Sequence, residues 1–108
     1  MRIFKHIEDL SQALQQGIDR NFVWVQDQSR RTRRIHEAVW REGISKDLVR
    51  EKVLPLFELT RSIFRITKPR FSDREQKIVE SLIADLQARS CNLLRYLNDQ
   101  PSDFTNVA

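Results

Sequence analysis

Glycine is almost missing from this chain. Only Gly17 and Gly43 occur in 108 residues, with three prolines beside them. So little turn-forming material argues against an architecture of many short hairpins and leaves long helices with few breaks. Cysteine is scarcer still. Cys91 stands alone and makes no disulfide within the chain, and no Cys/His group has metal-ligand spacing. Neither metal nor cofactor is expected, Cys91 reads as a bland buried or half-buried thiol, and a reducing, cytoplasmic setting is the expectation. No apolar run approaches the roughly 20 residues of a membrane span. The opening MRIFKHIEDL interleaves charges with its apolar residues, so neither a cleaved export signal nor membrane insertion is expected. Glycine-rich phosphate loops, paired metal ligands on a helix face and nucleophile motifs are absent too. The sequence points to no small-molecule substrate and to no enzyme.

What is present is helical periodicity. Ile3, Ile7, Leu10 and Leu14 fall on one helix face, and Ile18, Phe22 and Val25 continue the spacing beyond Gly17. Two helices joined closely around Gly17, the second capped at Asp19, are preferred to one continuous helix. The second helix should end near Arg41, with Gly43 in a left-handed terminal position. Ser45 then caps the third, with Ile44 and Val49 as a hydrophobic staple. The third segment, KDLVREKVLPLFELTRSIFRIT, is apolar on more than one stripe, as in a helix packed on several sides or partly buried in an oligomer. Pro55 either kinks it or starts a new helix. Pro69 should turn Lys68 away from helical geometry. Ser72 to Glu75 form a capping box that opens a last helix with Val79, Leu82, Ile83, Leu86, Leu93 and Leu97 on its inner face. The expected fold is all-α, a three- or four-helix antiparallel bundle over 1–99 that associates through helix faces, followed by a flexible tail at 100–108 in which Phe104 is the one docking candidate.

The formal net charge is +4, and its distribution is the most informative feature. Arg30, Arg31, Arg33 and Arg34 crowd five positions of the second helix. With Ile18, Phe22, Val25, Ser29, Thr32, His36 and Val39 inward, Arg30, Arg31 and Arg34 face outward, Arg33 lies on the flank, and Arg20 and Arg41 extend the stripe. Like charges four apart cost an isolated helix about 0.2–0.5 kcal/mol, which Asp27 and Glu37 partly offset, so a solvated face is physically adequate. Two features favour a contact surface. The cluster is all arginine, whose fork matches phosphate and carboxylate oxygens. A second basic set, Arg61, Arg65, Lys68, Arg70 and Arg74, follows on the third helix and its exit loop.

The inner stripe is unusual, because Ser29, Thr32 and His36 stand where core residues belong. They permit close approach of another helix, hydrogen bonding across the bundle, or projection of this stretch beyond the core. Arg31 and His36, separated by four residues, resemble the catalytic motif of the HEPN ribonucleases, which are small helical bundles. The resemblance covers six residues. Thr32 stands where that family carries Asn, Asp or His, and the family's motif lies on a later helix, so no catalytic residue is assigned. The connection EGIS does not announce a helix-turn-helix either, since the following helix offers an apolar face rather than a polar reading head.

The sequence therefore leads to a binding protein. Arg20, Arg30, Arg31, Arg33, Arg34, Arg41, Arg61, Arg65, Lys68 and Arg70 are the candidates for contacting RNA or DNA through its backbone. Val23, Trp24, Phe57 and Phe64 are the candidates for a protein interface, within a homo-oligomer or a larger complex. The alternative is a protein-binding adaptor or chaperone using the third helix and the Val23 and Trp24 patch.

Overall fold

The computed structural model describes residues 2–16 and 19–98 as an all-α bundle of four helices. The expected break at Gly17, the inward placement of Ile18 and the tail at 100–108 with Phe104 lie outside the described residues. Helix α1 is Arg2–Gln15 and α2 is Phe22–Glu42. Helix α3 runs over 46–67 and α4 is Asp73–Leu97. No helix among the described residues is long and apolar enough to cross a membrane.

The boundaries follow from local chemistry, with two corrections. Helix α2 is capped by Asn21, whose side-chain oxygen accepts the Trp24 N–H at 2.8 Å, and not by Asp19. The helix closes at Gly43, which adopts φ 62° and ψ 50° and donates its N–H to the Val39 carbonyl. Ser45 accepts the Leu48 N–H, and Ile44 and Val49 are both buried, as the staple requires. At the far end Ser72 and Glu75 form the reciprocal capping box that starts α4. Lys68 is the second correction. It keeps helical angles, φ −49° and ψ −45°, and Lys68–Arg70 form a tightened 3-10 turn before Phe71 becomes extended. A proline accepts the first turn of such a helix, where its missing N–H has no intrahelical role.

Pro55 stands in the first turn of the α-helical stretch Leu54–Thr67, as one of the two expectations has it, but that stretch does not begin a separate helix. Lys46–Leu48, a π-helical turn at Val49–Val53 and Leu54–Thr67 run on as one helix. Pro55 has no N–H to give to the carbonyl four residues back. The chain widens just before it, and Leu54 donates to the Val49 carbonyl five residues back.

The core joins Ile3, Leu10 and Leu14 of α1, Val25, Ile35 and Val39 of α2, Val49, Val53, Phe57, Ile63 and Phe64 of α3, and Val79, Leu86 and Leu93 of α4. Phe57 and Phe64 are both 0% exposed. Their expected place at a protein interface is thereby corrected: they fill this chain's own core, where truncation to alanine costs roughly 3–5 kcal/mol. The apolar residues that α3 leaves outside are Leu59 and Ile66.

Helix α2 packs on α1 and α4, and α4 packs on α3. Helices α3 and α4 are antiparallel, since Arg61 reaches Gln87 while Lys68 reaches Glu80. Helices α2 and α4, by contrast, run parallel. Phe22 meets Phe71 edge-on at 5.9 Å, Thr32 meets Arg89, His36 meets Asn92, and Trp40 meets Tyr96 edge-on at 4.8 Å. The close diagonal of an up-down bundle is thus the α2–α4 pair.

Candidate functional site

The α2–α4 seam explains the polar gap in the inner stripe of α2. Ser29, Thr32 and His36 are buried, and Thr32 and His36 are joined to α4 by hydrogen bonds. Thr32 donates its hydroxyl hydrogen to the Ser29 carbonyl at 2.7 Å, which leaves its oxygen free to accept Arg89 Nη1 at 3.2 Å. One turn on, Asn92 Nδ2 and His36 Nε2 lie 3.0 Å apart. With the amide in this orientation Nδ2 donates and Nε2 accepts. Burial, then the neighbouring Arg89 charge, pushes His36 down to about 4, against a weaker opposing pull from Glu37. His36 is therefore neutral at pH 7. Tyr96 completes the seam by donating to the Ile44 carbonyl.

Arg89 is the residue that sequence reasoning missed. It is half-buried, and burial pushes its pKa below the ordinary arginine value while Asp85 acts in the opposite direction. Among the described residues no carboxylate lies within 4 Å of it, and Thr32 is its one hydrogen-bond partner. A signal was available: the inner stripe of α4 also has a gap, between Leu86 and Leu93, filled by Arg89 and the buried Ser90. Two helices with matching polar gaps are two halves of one seam.

Beside this seam lies a cleft of about 460 Å³, open to solvent. Gln26, Ser29, Arg30 and Arg33 form the α2 wall; Leu82, Asp85 and Arg89 form the other. The spacing of each set, three or four residues at a time, is that of one helix flank. Arg33 borders the cleft, and the helical rotation carries the basic surface outward through Arg30, Arg34 and Arg41, all exposed. Arg30 is paired with Asp27 at 2.7 Å. Arg33, Arg34 and Arg41 have no carboxylate within 4 Å among the described residues. Arg31 is turned to the other flank, half-buried, and donates to Gln28 Oε1 at 3.0 Å. His36 faces the seam instead, so Arg31 and His36 do not share a site.

Two expected members of the basic surface stand elsewhere. Arg20 precedes the helix rather than extending its outer face. It folds back to donate to the Leu14 carbonyl at 3.0 Å and lies 5.6 Å from the Trp24 ring centroid. The second basic set sits on the opposite flank of α4. There Arg61 is held by Glu58 at 2.8 Å and by Gln87, and Lys68 by Glu80 at 3.0 Å. Arg65, Arg70 and Arg74 are exposed. The α4 helix separates this set from the arginines of α2, and the two do not merge into one groove.

On the other side of the bundle α1 and α3 leave two adjoining hollows of about 810 and 530 Å³, both bordered by Ile7, Ser11 and Lys52. Phe4 and Leu59, at 53% and 51% exposure, are their most open apolar rims. Val23 is 62% exposed, whereas Trp24 is half-buried against the core. Cys91 is exposed on α4, contrary to its expected burial. No group of three or more potential metal ligands occurs among the described residues. Comparisons with protein-family models, with curated proteins and with solved structures found no match.

Proposed function

We propose that the protein is a non-enzymatic helical binding protein that contacts an acidic partner through the outer face of α2, and that this partner is nucleic acid held by its phosphate backbone. One observation carries the reading: Arg33, Arg34 and Arg41 share an exposed helix face on which no carboxylate of the described residues lies within 4 Å of them. Guanidinium groups left without internal partners are available to phosphate oxygens, which they bind in a fork geometry. Contacts confined to the phosphate backbone carry no sequence readout, so binding in this reading is independent of sequence and falls steeply with salt. In this reading the chain works in the cytoplasm as a homo-oligomer or as a subunit of a larger assembly.

Fluorescence anisotropy with single-stranded RNA and with duplex DNA at about 50 mM salt tests it. A wild-type protein that ignores both sinks the proposal. The second reading, a protein-binding adaptor, draws on the open α1–α3 hollows and on exposed Leu59 and Val23. Copurification with a protein free of nucleic acid, judged by the absorbance ratio, is the result that favours it.

A further inference from the structure

We infer that the cleft between α2 and α4 is a phosphate-binding subsite anchored by Arg89, with Arg33 as its second donor. The inference deepens the polyanion reading of α2 by giving that surface a defined point of capture.

The argument starts from what Arg89 lacks. A guanidinium carries five N–H donors and remains charged in proteins. Taking it partly out of water is costly unless its donors and its charge are met. Here one donor is met by a neutral hydroxyl, Thr32 Oγ1, and no carboxylate of the described residues lies within 4 Å. That hydroxyl is itself fixed, because its hydrogen is given to the Ser29 carbonyl. Arg89 is thus oriented by the seam and not by an ion pair, and it lines the cleft with donors to spare.

The surroundings select the ligand. Arg30 and Arg33 stand on the opposite wall, and Arg30 is already paired with Asp27, so Arg33 and Arg89 are the two available forks. Asp85 also borders the cleft and is its one acidic lining residue. An anion must therefore engage both forks at once to outweigh Asp85, and a tetrahedral oxyanion with several acceptor oxygens does so. A phosphate group fits this pattern and the open cleft. The arginines that continue outward from the cleft, Arg34 and Arg41, then lie along the path of a backbone leaving it.

The test uses the full chain, a labelled single-stranded RNA of about ten nucleotides, and inorganic phosphate. Arg89→Lys keeps the charge and removes the fork, so RNA binding should weaken about tenfold while its salt dependence stays as in wild type. Arg33→Lys, at an exposed position that leaves the core untouched, should weaken it several-fold. Should Arg89→Lys lose its helical circular dichroism, Arg33→Lys and the phosphate titration decide. In that titration, followed by nuclear magnetic resonance of arginine Nε–H groups, Arg89 and Arg33 should shift and Arg65 and Arg70 should not. Wild-type RNA binding by both lysine variants, or a titration in which Arg89 and Arg33 do not shift or shift no more than Arg65, overturns the subsite. If reversal of Arg34 and Arg41 to Glu still abolishes RNA binding in that case, the broader reading of α2 survives it. Selective phosphate shifts in a protein that binds no RNA support the subsite and overturn the broader reading. Poly-glutamate competing as well as RNA, with the same Arg89→Lys sensitivity, overturns the phosphate assignment in favour of an acidic protein.

Discussion

The α2–α4 seam and the α1–α3 groove solve the same packing problem in opposite ways. At the seam, Ser29, Thr32 and Ser90 are small enough for two parallel helices to approach, and directional bonds from Arg89 and Asn92 fix their register. At the groove, α1 and α3 leave hollows bordered by Phe4, Ile7, Leu48, Leu56 and Leu59 together with polar residues such as Ser11 and Lys52. The lesson is that small polar residues on an inner stripe need not weaken a bundle; they close it where bulkier apolar residues leave it open. They also determine what remains at the rim: unpaired guanidinium groups along the seam, and half-exposed apolar side chains along the groove.

The contrast breaks most sharply at the charged rim. Changing Arg33, Arg34 and Arg41 together to Glu should reduce RNA binding more than hundredfold at about 50 mM salt. Circular dichroism should stay helical, because none of the three lies in the apolar core. Next in size is Thr32→Val, which keeps the volume, leaves the Arg89 donor unmet and should destabilise the fold by about 1–3 kcal/mol in urea titration. A loss below about 0.3 kcal/mol would show that the seam is held by packing alone.

The pH dependence of the seam comes third. His36 titrates near 4 in the fold against its ordinary 6.5, so the unfolded chain takes up the proton first as pH falls. This contribution to stability is complete above pH 6.5, declines between 6.5 and 4, and is flat below. Allowing for solvent screening of a partly accessible ring, the decline is on the order of 1–2 kcal/mol. It should appear as the difference between urea titrations of wild type and His36→Gln. The smallest effect belongs to the groove. Leu59→Ser should change monomer stability by no more than about 0.5 kcal/mol. A shift in solution mass with this variant would assign the groove to self-association.

Much of the fold was legible because capping chemistry is local. Gly43, Ser45 and the Ser72–Glu75 box mark three boundaries by mechanism, and each forms as the sequence implies. Other features depend on competition between neighbours. Asn21 displaces Asp19 as a cap, and Lys68 stays helical because a 3-10 turn accepts Pro69. The apolar density of α3 reveals that it is central, but periodicity alone does not tell Phe57 and Phe64, which are buried, from Leu59 and Ile66, which are not. At the candidate site the outward positions of Arg30, Arg34 and Arg41 are readable from the helical repeat. The role of Arg89 is not, because it depends on the parallel pairing of two helices that brings Arg89 to Thr32, 57 positions away in the chain.

The π-helical turn before Pro55 has a consequence for how the molecule breathes. Its hydrogen bonds reach one residue further than those of an α-helix, and Pro55 contributes no amide hydrogen. Glu51, Lys52 and Pro55 of this stretch are exposed and line the α1–α3 groove, while Val49 and Val53 hold the turn to the core. Amide hydrogens at 49–54 should therefore exchange with solvent well before those of α2 and α4, which are clamped together along the seam. Local opening of the bundle begins on its apolar side, leaving the arginine face rigid.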